Sequence, residues 1–192
     1  MKLFRKLLLF DDHVCPWWLA YTFDNPLRRL IHNPEKIVGP YLEEGMTAID
    51  IGCGMGYFSL GMARLVGAKG RVISVDLQQK MIDKLKNRAE HTGIADRISV
   101  HLCKQDTLGV SEEVDFVLTF WMVHEVPSVK LFFEQIHSIL HANGKWLLTE
   151  PKLHTSLSDF DKTLSTATEM GFLATERPVI NISYAAVLEK AA

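Results

Sequence analysis

The chain has 192 residues, of which 47% are hydrophobic and 23% charged, and its formal net charge is −2. These values are those of one globular domain with a sizeable core, and the charge argues against a nucleic-acid partner, which usually leaves a basic footprint. Three cysteines without a C-x-x-C spacing exclude a disulfide framework and a zinc ribbon, and they favour a reducing compartment.

The first ten residues, MKLFRKLLLF, mix basic and apolar side chains. The apolar run Leu7–Phe10 is shorter than the roughly 7–15 residues of a secretory signal, and two aspartates follow it at once. No run approaches the roughly 20 apolar residues of a membrane span. We therefore expect a cytoplasmic protein, in which residues 1–34 form a cap and residues 35–192 form the main domain.

The rest of the chain alternates predicted strands with predicted helices, after a helix over Glu35–Leu42. The first five predicted strands are Thr47–Ile51, Arg71–Asp76, Ile98–Leu102, Val114–Phe120 and Lys145–Thr149. Helices are predicted to begin near Tyr57, Gln79, Ser128 and Ser158 and to end near Gly67, Gly93, Asn143-Gly144 and Gly171. This alternation predicts an α/β fold with a doubly wound, mostly parallel sheet. The last stretch, Phe172–Leu188, predicts two strands without a helix between them, hence an antiparallel hairpin at one edge.

A glycine-rich turn joins the first strand to its helix within the sequence AIDIGCGMGYFS. Its glycines alternate along the turn: Gly52, Gly54 and Gly56. Such a turn lets the backbone approach a ligand closely and places it at a helix N-terminus. A dinucleotide fingerprint would need glycine at position 57, where Tyr57 stands. Asp50 adds a negative charge that repels phosphate and supports an ammonium group. The turn therefore fits a ligand with an amino-acid end and a nucleoside end.

This turn resembles motif I of the class I S-adenosylmethionine (SAM)-dependent methyltransferases. The order of elements over residues 36–190, with its final hairpin, is similar to that family as well. The resemblance implies a seven-stranded Rossmann-like sheet, S-adenosylmethionine as the cofactor and S-adenosylhomocysteine as the product.

The cofactor contacts are expected at the carboxyl ends of the strands, where open α/β sheets bind ligands. Asp76 ends the second strand and is expected to accept hydrogen bonds from the ribose hydroxyls, with Leu77 packed on the adenine. The resemblance implies that Asp106 meets the adenine amino group and that the Phe120 carbonyl accepts from the methionine ammonium. The complete predicted cofactor set is Asp50, Gly52, Gly54, Gly56, Asp76, Leu77, Asp106 and Phe120.

His124 and Glu125 follow the fourth strand and face the expected acceptor side. Histidine titrates near neutrality and is able to take a proton from the acceptor, with Glu125 orienting it or binding a cationic substrate. The alternative is that the pair is a polar start to a loop and fixes Pro127 and the next helix. Glu150 and His154, which follow the fifth strand, face the same side and are interpreted as a polar rim.

The segment before the first strand is rich in aromatic residues and is expected to close over the acceptor. Cys15 with His13 suggests a soft metal, a metalloid or a thiol-like substrate, but two ligands do not make a zinc site. We interpret Cys15 as a small buried side chain and predict no metal site. Arg28 and Arg29 are interpreted as part of a solvated helix face.

We expect methyl transfer from S-adenosylmethionine to a small-molecule acceptor, with no nucleic-acid partner and no membrane span. The main alternative is a non-catalytic SAM-binding regulatory or assembly protein, whose acceptor pocket would be blocked by Trp17, Trp18 or Trp121. A methyltransferase acting on a thiol or metalloid, a nicotinamide-dependent oxidoreductase and an RNA methyltransferase are less favoured. The sequence predicts no oligomeric state.

Overall fold

The computed structural model describes residues 28–191, and one seven-stranded sheet forms its centre. The strands are β1 Thr47–Ile51, β2 Arg71–Asp76, β3 Ile98–Leu102, β4 Val114–Phe120, β5 Leu140–Pro151, β6 Phe172–Glu176 and β7 Ser183–Lys190. Their order across the sheet is β3-β2-β1-β4-β5-β7-β6. Strands β1 to β5 are parallel, whereas β7 runs antiparallel to both β5 and β6. The predicted doubly wound sheet with a C-terminal antiparallel hairpin is confirmed.

Helices cover both faces of this sheet. Within residues 28–191 they are α1 Arg28–Ile31, α2 Pro34–Val38, α3 Tyr57–Leu65, α4 Gln79–Thr92, α5 Val129–Ile139 and α6 Leu157–Glu169. One core cluster contains buried side chains of α2, α3 and α4, and the other contains those of α5 and α6. The central strand β4 contributes to both, since Phe116 and Leu118 belong to the first cluster and Val117 to the second. A strand covered on both faces needs a nearly continuous apolar sequence, as β4 has.

Strand β5 begins earlier than the sequence predicted. The preceding helix ends at Ile139, and Leu140 already pairs with Val114 of β4. The register between the two strands then shifts, and Gly144 lies at this irregularity. A Cβ atom on Gly144 would fall 2.5 Å from Leu140 Cδ1 and 3.0 Å from the Asp115 carbonyl oxygen. The Asn-Gly pair therefore allows a bulge inside the strand. The prediction that this pair ends the helix is wrong, because the helix already ends at Ile139.

The helix predicted over Glu35–Leu42 is also different. It consists of α2, capped by the Asn33 side chain, followed by a separate 3₁₀ turn over Gly39–Tyr41. Pro40 lies in that turn, and proline has no backbone N–H with which to continue an α-helix.

The described part of the chain contains no helix with the length and hydrophobicity of a membrane span. Most of the predicted cap over residues 1–34, including His13, Cys15, Trp17 and Trp18, lies outside the described residues. The domain boundary at residue 34 and the cytoplasmic location stay predictions.

Candidate active site

The carboxyl ends of β1, β2, β4 and β5 meet at one edge of the sheet, and the loops that follow them form the candidate site. The turn after β1 is tied to the neighbouring strand, because the amides of Gly52 and Cys53 both donate to the Val75 carbonyl, at 2.8 and 3.0 Å. The Gly56 amide in turn donates to the Cys53 carbonyl at 2.9 Å. These backbone hydrogen bonds hold the turn in one conformation against β2.

The three glycines of this turn have different surroundings. A Cβ atom on Gly52 would lie 3.0 Å from Met122 Cγ, and one on Gly56 would lie 2.1 Å from Leu85 Cδ1. A Cβ atom on Gly54 would have no atom of residues 28–191 within 4 Å. Gly52 and Gly56 are thus required by neighbouring side chains, while only Gly54 faces open space where a ligand has room.

Asp76 lies at the end of β2 and holds this open part of the turn. Its Oδ2 accepts a hydrogen bond from the Gly54 amide at 2.9 Å, and its Oδ1 accepts from the Gln78 amide at 2.8 Å. The side chain is buried, which raises the pKa of Asp76 against the opposing effect of these amide hydrogen bonds. The Leu77 amide also donates to this carboxylate, and a carboxylate has about four acceptor sites, so capacity remains for a further donor. Leu77, which follows it, is 37% exposed at the same edge.

Asp50 lies beneath the turn and not on its surface. It is buried, and its Oδ2 accepts a hydrogen bond from the Ser59 hydroxyl in the first turn of α3, at 2.5 Å. Burial raises the pKa of Asp50 to about 6, opposed by the Ser59 hydrogen bond and assisted by the negative charge of Asp76. The carboxyl group therefore joins β1 to α3 and supports the turn from below.

The other two predicted cofactor residues occupy different environments. Asp106 is exposed, in a turn whose position is fixed by Gln135, which donates to the Asp106 carbonyl at 3.2 Å. Phe120 is buried at the end of β4, with its ring centroid 4.3 Å from that of Phe58. Both residues border the carboxyl edge of the sheet, as their places after β3 and at the end of β4 predicted.

An aromatic cluster extends from Phe120 toward α1. The Arg28 guanidinium lies 4.5 Å from the ring centroid of Tyr57 and within 6 Å of three other rings: those of Phe58, Phe120 and Trp121. Such contacts are attractive cation–π interactions. The interpretation of Arg28 as part of a solvated helix face is therefore wrong, because tertiary packing turns it onto these rings. Its neighbour Arg29 is exposed and pairs with Glu35.

The residues just after α1 connect this cluster to the C-terminal hairpin. The Tyr57 hydroxyl donates to the His32 carbonyl at 2.8 Å, and His32 Nε2 lies 2.8 Å from the Asn181 carbonyl. Trp121 adopts a left-handed backbone conformation with φ of +63°, and its Nε1 donates to Ser183 Oγ at 2.9 Å. A non-glycine residue held in this conformation costs energy, and such strain concentrates at functional sites.

His124 lies in a 3₁₀ turn over Val123–Glu125 directly after Trp121 and Met122. Its Nδ1 is 2.5 Å from Oε2 of Glu150, whereas Oε1 of Glu125 is 3.9 Å from its Nε2. Burial alone lowers the pKa of His124, but the hydrogen bond and charge of Glu150, together with the charge of Glu125, outweigh it and raise the pKa. The histidine side chain remains 31% exposed, so one edge of the imidazole is accessible.

The prediction that Glu150 belongs to a polar rim is wrong. Glu150 is 1% exposed, because β5 continues through Pro151 and directs this side chain inward. Trp146 and Leu148, at alternate positions of the same strand, are buried in the core cluster beside α5 and α6. A strand extended by two residues would have placed Glu150 on that inward face, and this alternation is the signal that could have identified it.

No group of three or more His, Cys, Asp or Glu side chains among the described residues is arranged to hold a metal ion. The polar groups that converge at the edge of the sheet are instead hydrogen-bond donors and acceptors. They suit an organic ligand with hydroxyl and ammonium groups.

A family model described as a methyltransferase domain matches residues 42–184. The chain is 38% identical over 88 residues to the protein-L-isoaspartate O-methyltransferase of Thermotoga maritima, covering 45% of this chain and 27% of that protein. It is 38% identical over 53 residues to the 23S rRNA (uracil(1939)-C(5))-methyltransferase of Acinetobacter baumannii, covering 28% and 12%. The chain thus spans about a quarter or less of the length of these relatives.

Among solved structures, the fold is similar to a crystal structure of a SAM-dependent methyltransferase from Aquifex aeolicus. The TM-score is 0.82, the sequence identity is 19%, and the match covers 91% of this chain and 98% of that one. This likeness supports the fold that the element order predicted.

The prediction of a small-molecule acceptor without a nucleic-acid partner is wrong. Relatives that match this chain are named for a protein acceptor and for a ribosomal RNA acceptor. The physical reason is that length and net charge describe the whole molecule, whereas an acceptor is bound by a local surface. A catalytic domain of this type is therefore not restricted to one class of acceptor by its size or charge.

Proposed function

Because the chain belongs to the methyltransferase domain family, whose model matches residues 42–184, we propose that it binds S-adenosylmethionine and transfers its methyl group to an acceptor. The single observation that carries the proposal is the open space beside Gly54, whose amide is held by Asp76. A strand-end carboxylate next to an open glycine turn is the arrangement by which α/β sheets bind nucleosides.

The residues around this space fit the cofactor. We assign the ribose hydroxyls to Asp76, whose carboxylate keeps acceptor capacity beyond its hydrogen bonds to backbone amides. The adenine would lie against Leu77, whose exposure at this edge suits an apolar contact, with its amino group toward Asp106. The amino-acid end would lie along Gly54, with the Phe120 carbonyl as an acceptor for the ammonium.

Asp50 and the two remaining glycines have a supporting part in this assignment. Asp50 is buried beneath the turn, where its charge favours a nearby ammonium group without direct exposure to it. Gly52 and Gly56 allow the turn to pack against Met122 and Leu85. We propose that these three residues shape the site and that Gly54 makes the close backbone approach.

S-adenosylmethionine, when bound, would supply an activated sulfonium methyl group, which passes to a nucleophile of the acceptor while S-adenosylhomocysteine leaves with the electrons of the broken S–CH₃ bond. The protein aligns the acceptor and excludes water. An acceptor with a hydroxyl or another protonated nucleophile must also lose a proton. The location of His124 in the turn after β4, at the carboxyl edge of the sheet, supports it as the base. We propose that His124 takes this proton on Nε2, which faces Glu125 at 3.9 Å and belongs to a partly exposed ring.

The proposal leaves the size of the acceptor unrestricted. The named relatives act on a protein and on ribosomal RNA. Two loops at this edge of the site lie on the surface of the domain: Leu153, in the loop after β5, and Val179, in the loop between β6 and β7, are both exposed. A macromolecular acceptor would therefore not have to enter a closed cavity formed by these two loops.

The decisive experiment has two steps. Titration calorimetry with S-adenosylmethionine and S-adenosylhomocysteine tests cofactor binding, and absence of heat with both would refute the proposal. Methyl-labelled S-adenosylmethionine is then incubated with separated pools of small molecules, total RNA and protein. Label transferred to any pool supports a methyltransferase. Cofactor binding without transfer to any pool would support the alternative, a non-catalytic SAM-binding regulatory or assembly protein.

A further inference from the structure

We propose that Glu150 is the positioning residue of His124. It holds the imidazole as the tautomer with a proton on Nδ1 and leaves Nε2 as the proton acceptor. The inference rests on the proposed function, because it concerns the same base. It goes further by identifying a buried residue of another strand that determines whether His124 is able to act.

The first argument is the hydrogen bonding of the Glu150 carboxylate. Its Oε1 accepts from the Val123 amide at 2.9 Å, and its Oε2 lies 2.5 Å from His124 Nδ1 and 3.3 Å from Thr155 Oγ1. The Val123 amide is always a donor, and the Thr155 hydroxyl is able to donate. An ionised carboxylate accepts hydrogen bonds only, so it is fully satisfied when His124 Nδ1 carries the proton.

The second argument is burial. Glu150 is 1% exposed, so a carboxylate here needs partners that compensate for the loss of water. The three donors come from the turn after β4 and from the loop between β5 and α6, two parts of the chain that meet only in the folded sheet. One carboxylate therefore fixes both the backbone of the 3₁₀ turn, through Val123, and the ring that the turn presents.

The third argument is the position of the other ionisable groups that face the ring. Glu125, in the same 3₁₀ turn, is on the Nε2 side at 3.9 Å, beyond hydrogen-bond distance. His154, from the loop after β5, lies with its ring centroid 6.3 Å from that of His124. Neither is bonded to Nδ1. The orientation of the imidazole thus depends on Glu150, and Nε2 is the nitrogen directed away from the buried carboxylate.

The proton balance of the step follows directly. The acceptor gives its proton to Nε2 of His124, and the imidazole, already protonated on Nδ1, becomes an imidazolium. The negative charge of Glu150 stabilises this cation without taking the proton, as a buried carboxylate does for a catalytic histidine. The imidazolium returns the proton to solvent through its exposed edge.

The test compares the wild type with Glu150→Gln. The amide oxygen of glutamine is able to accept from the Val123 amide, so its NH₂ group faces His124 Nδ1, which must then become an acceptor. Nitrogen-15 NMR of the imidazole distinguishes the two tautomers, and His124 is assigned by the signals lost in His124→Gln. We expect a protonated Nδ1 and an unprotonated Nε2 in the neutral wild type, and the reverse in Glu150→Gln.

The same nitrogen-15 NMR signals, followed as the pH is varied, measure the pKa of His124. We expect it to fall in Glu150→Gln, because the adjacent negative charge is removed, and to stay unchanged in the matched control Glu134→Gln, which removes a charge from the exposed side of α5. The inference is overturned by a proton on Nε2 in the neutral wild type, a result that does not need Glu150→Gln and therefore does not depend on whether that variant folds. An unchanged tautomer in folded Glu150→Gln overturns it equally.

Calorimetry separates this inference from the proposed function. Glu150→Gln should bind S-adenosylmethionine with wild-type affinity, since the buried carboxylate is directed at His124 and not at the glycine turn. If the wild type itself binds no cofactor, the proposed function fails while the NMR result stands by itself.

Kinetics test the effect on catalysis. With an acceptor pool that takes up label, Glu150→Gln should lower kcat by roughly 10²–10⁴-fold, the contribution of a general base, with little change in KM. A pH profile unchanged from the wild type would count against the positioning role.

Discussion

The amide of Gly54 donates a hydrogen bond of 2.9 Å to Oδ2 of Asp76, and this bond joins the glycine turn after β1 to the acid at the end of β2. The two features were predicted separately, one as a cradle for the amino-acid end of a ligand and the other as a ribose acceptor. In the structure they form one unit. A change in either residue should therefore affect both the shape of the turn and the groups offered to a ligand.

Asp76→Ala should weaken S-adenosylmethionine binding by about 1–3 kcal/mol, the scale for leaving polar partners unpaired. The loss has two sources, since the ribose hydroxyls and the Gly54 amide both lose an acceptor. Calorimetry measures the affinity directly, and Asp83→Ala, on the exposed side of α4, is the matched control. Wild-type affinity in Asp76→Ala would refute the ribose assignment.

Gly54→Ala should act mainly on cofactor binding, whereas Gly56→Ala should act mainly on stability. At Gly54 the φ of +54° costs alanine about 1–2 kcal/mol, but the new methyl group enters open space. The protein should fold and bind S-adenosylmethionine at least about 10-fold more weakly, a loss of about 1.4 kcal/mol. At Gly56 the methyl group collides with Leu85, so the free energy of unfolding should fall by about 3 kcal/mol or more.

A double-mutant cycle checks the cause of the Gly56 effect. In a Leu85→Ala background the methyl group of Gly56→Ala has space, so the substitution should cost less than it does in the wild type. Denaturant titration gives the four free energies of unfolding. Equal costs in the two backgrounds would show that the backbone conformation, and not the contact with Leu85, makes glycine necessary.

His124→Ala should slow methyl transfer by roughly 10²–10⁴-fold while leaving the affinity for S-adenosylmethionine near the wild-type value. The reason is that the imidazole lies on the acceptor side and contacts the buried Glu150 rather than the glycine turn. The rate is measured with the acceptor pool that takes up label, and the affinity by calorimetry. Turnover equal to that of the wild type would leave His124 with a structural role.

The stability of the protein should depend on pH through Asp50. Burial raises its pKa from 3.8 to about 6, so the folded state binds a proton that the unfolded chain has already released between these values. The stability that this proton contributes is fully present below pH 3.8 and is lost as the pH rises through 6. The free energy of unfolding should therefore decrease by up to about 3 kcal/mol across this window.

Asp50→Asn should show a smaller decrease, because an amide has no proton to lose. The remaining slope would include Asp76, whose pKa burial also raises. Urea denaturation at pH 4 to 7 measures the effect, and Asp96→Asn, in an exposed position, is the control. A slope in Asp50→Asn as steep as that of the wild type would contradict the assignment to Asp50.

Much of the fold follows from local patterns in the sequence. The bounds of β1 to β4 agree with those predicted, because each is an apolar run that ends in a turn or loop signal. The prediction was less successful for β5. Its first residues are separated from its apolar core by Asn143-Gly144, which is typical of a turn, and only pairing with β4 shows that the strand continues through them.

Some features of the candidate site were likewise predictable from the sequence, and others were not. The sequence by itself determined the sheet, the glycine turn and the acids at the strand ends, because each depends on residues close together in the chain. Only the tertiary structure decided that Glu150, and not Glu125, is bonded to His124, that Gly56 is needed for Leu85, and that Arg28 packs on aromatic rings. These contacts join residues far apart in sequence, and which of them meet depends on strand order and register.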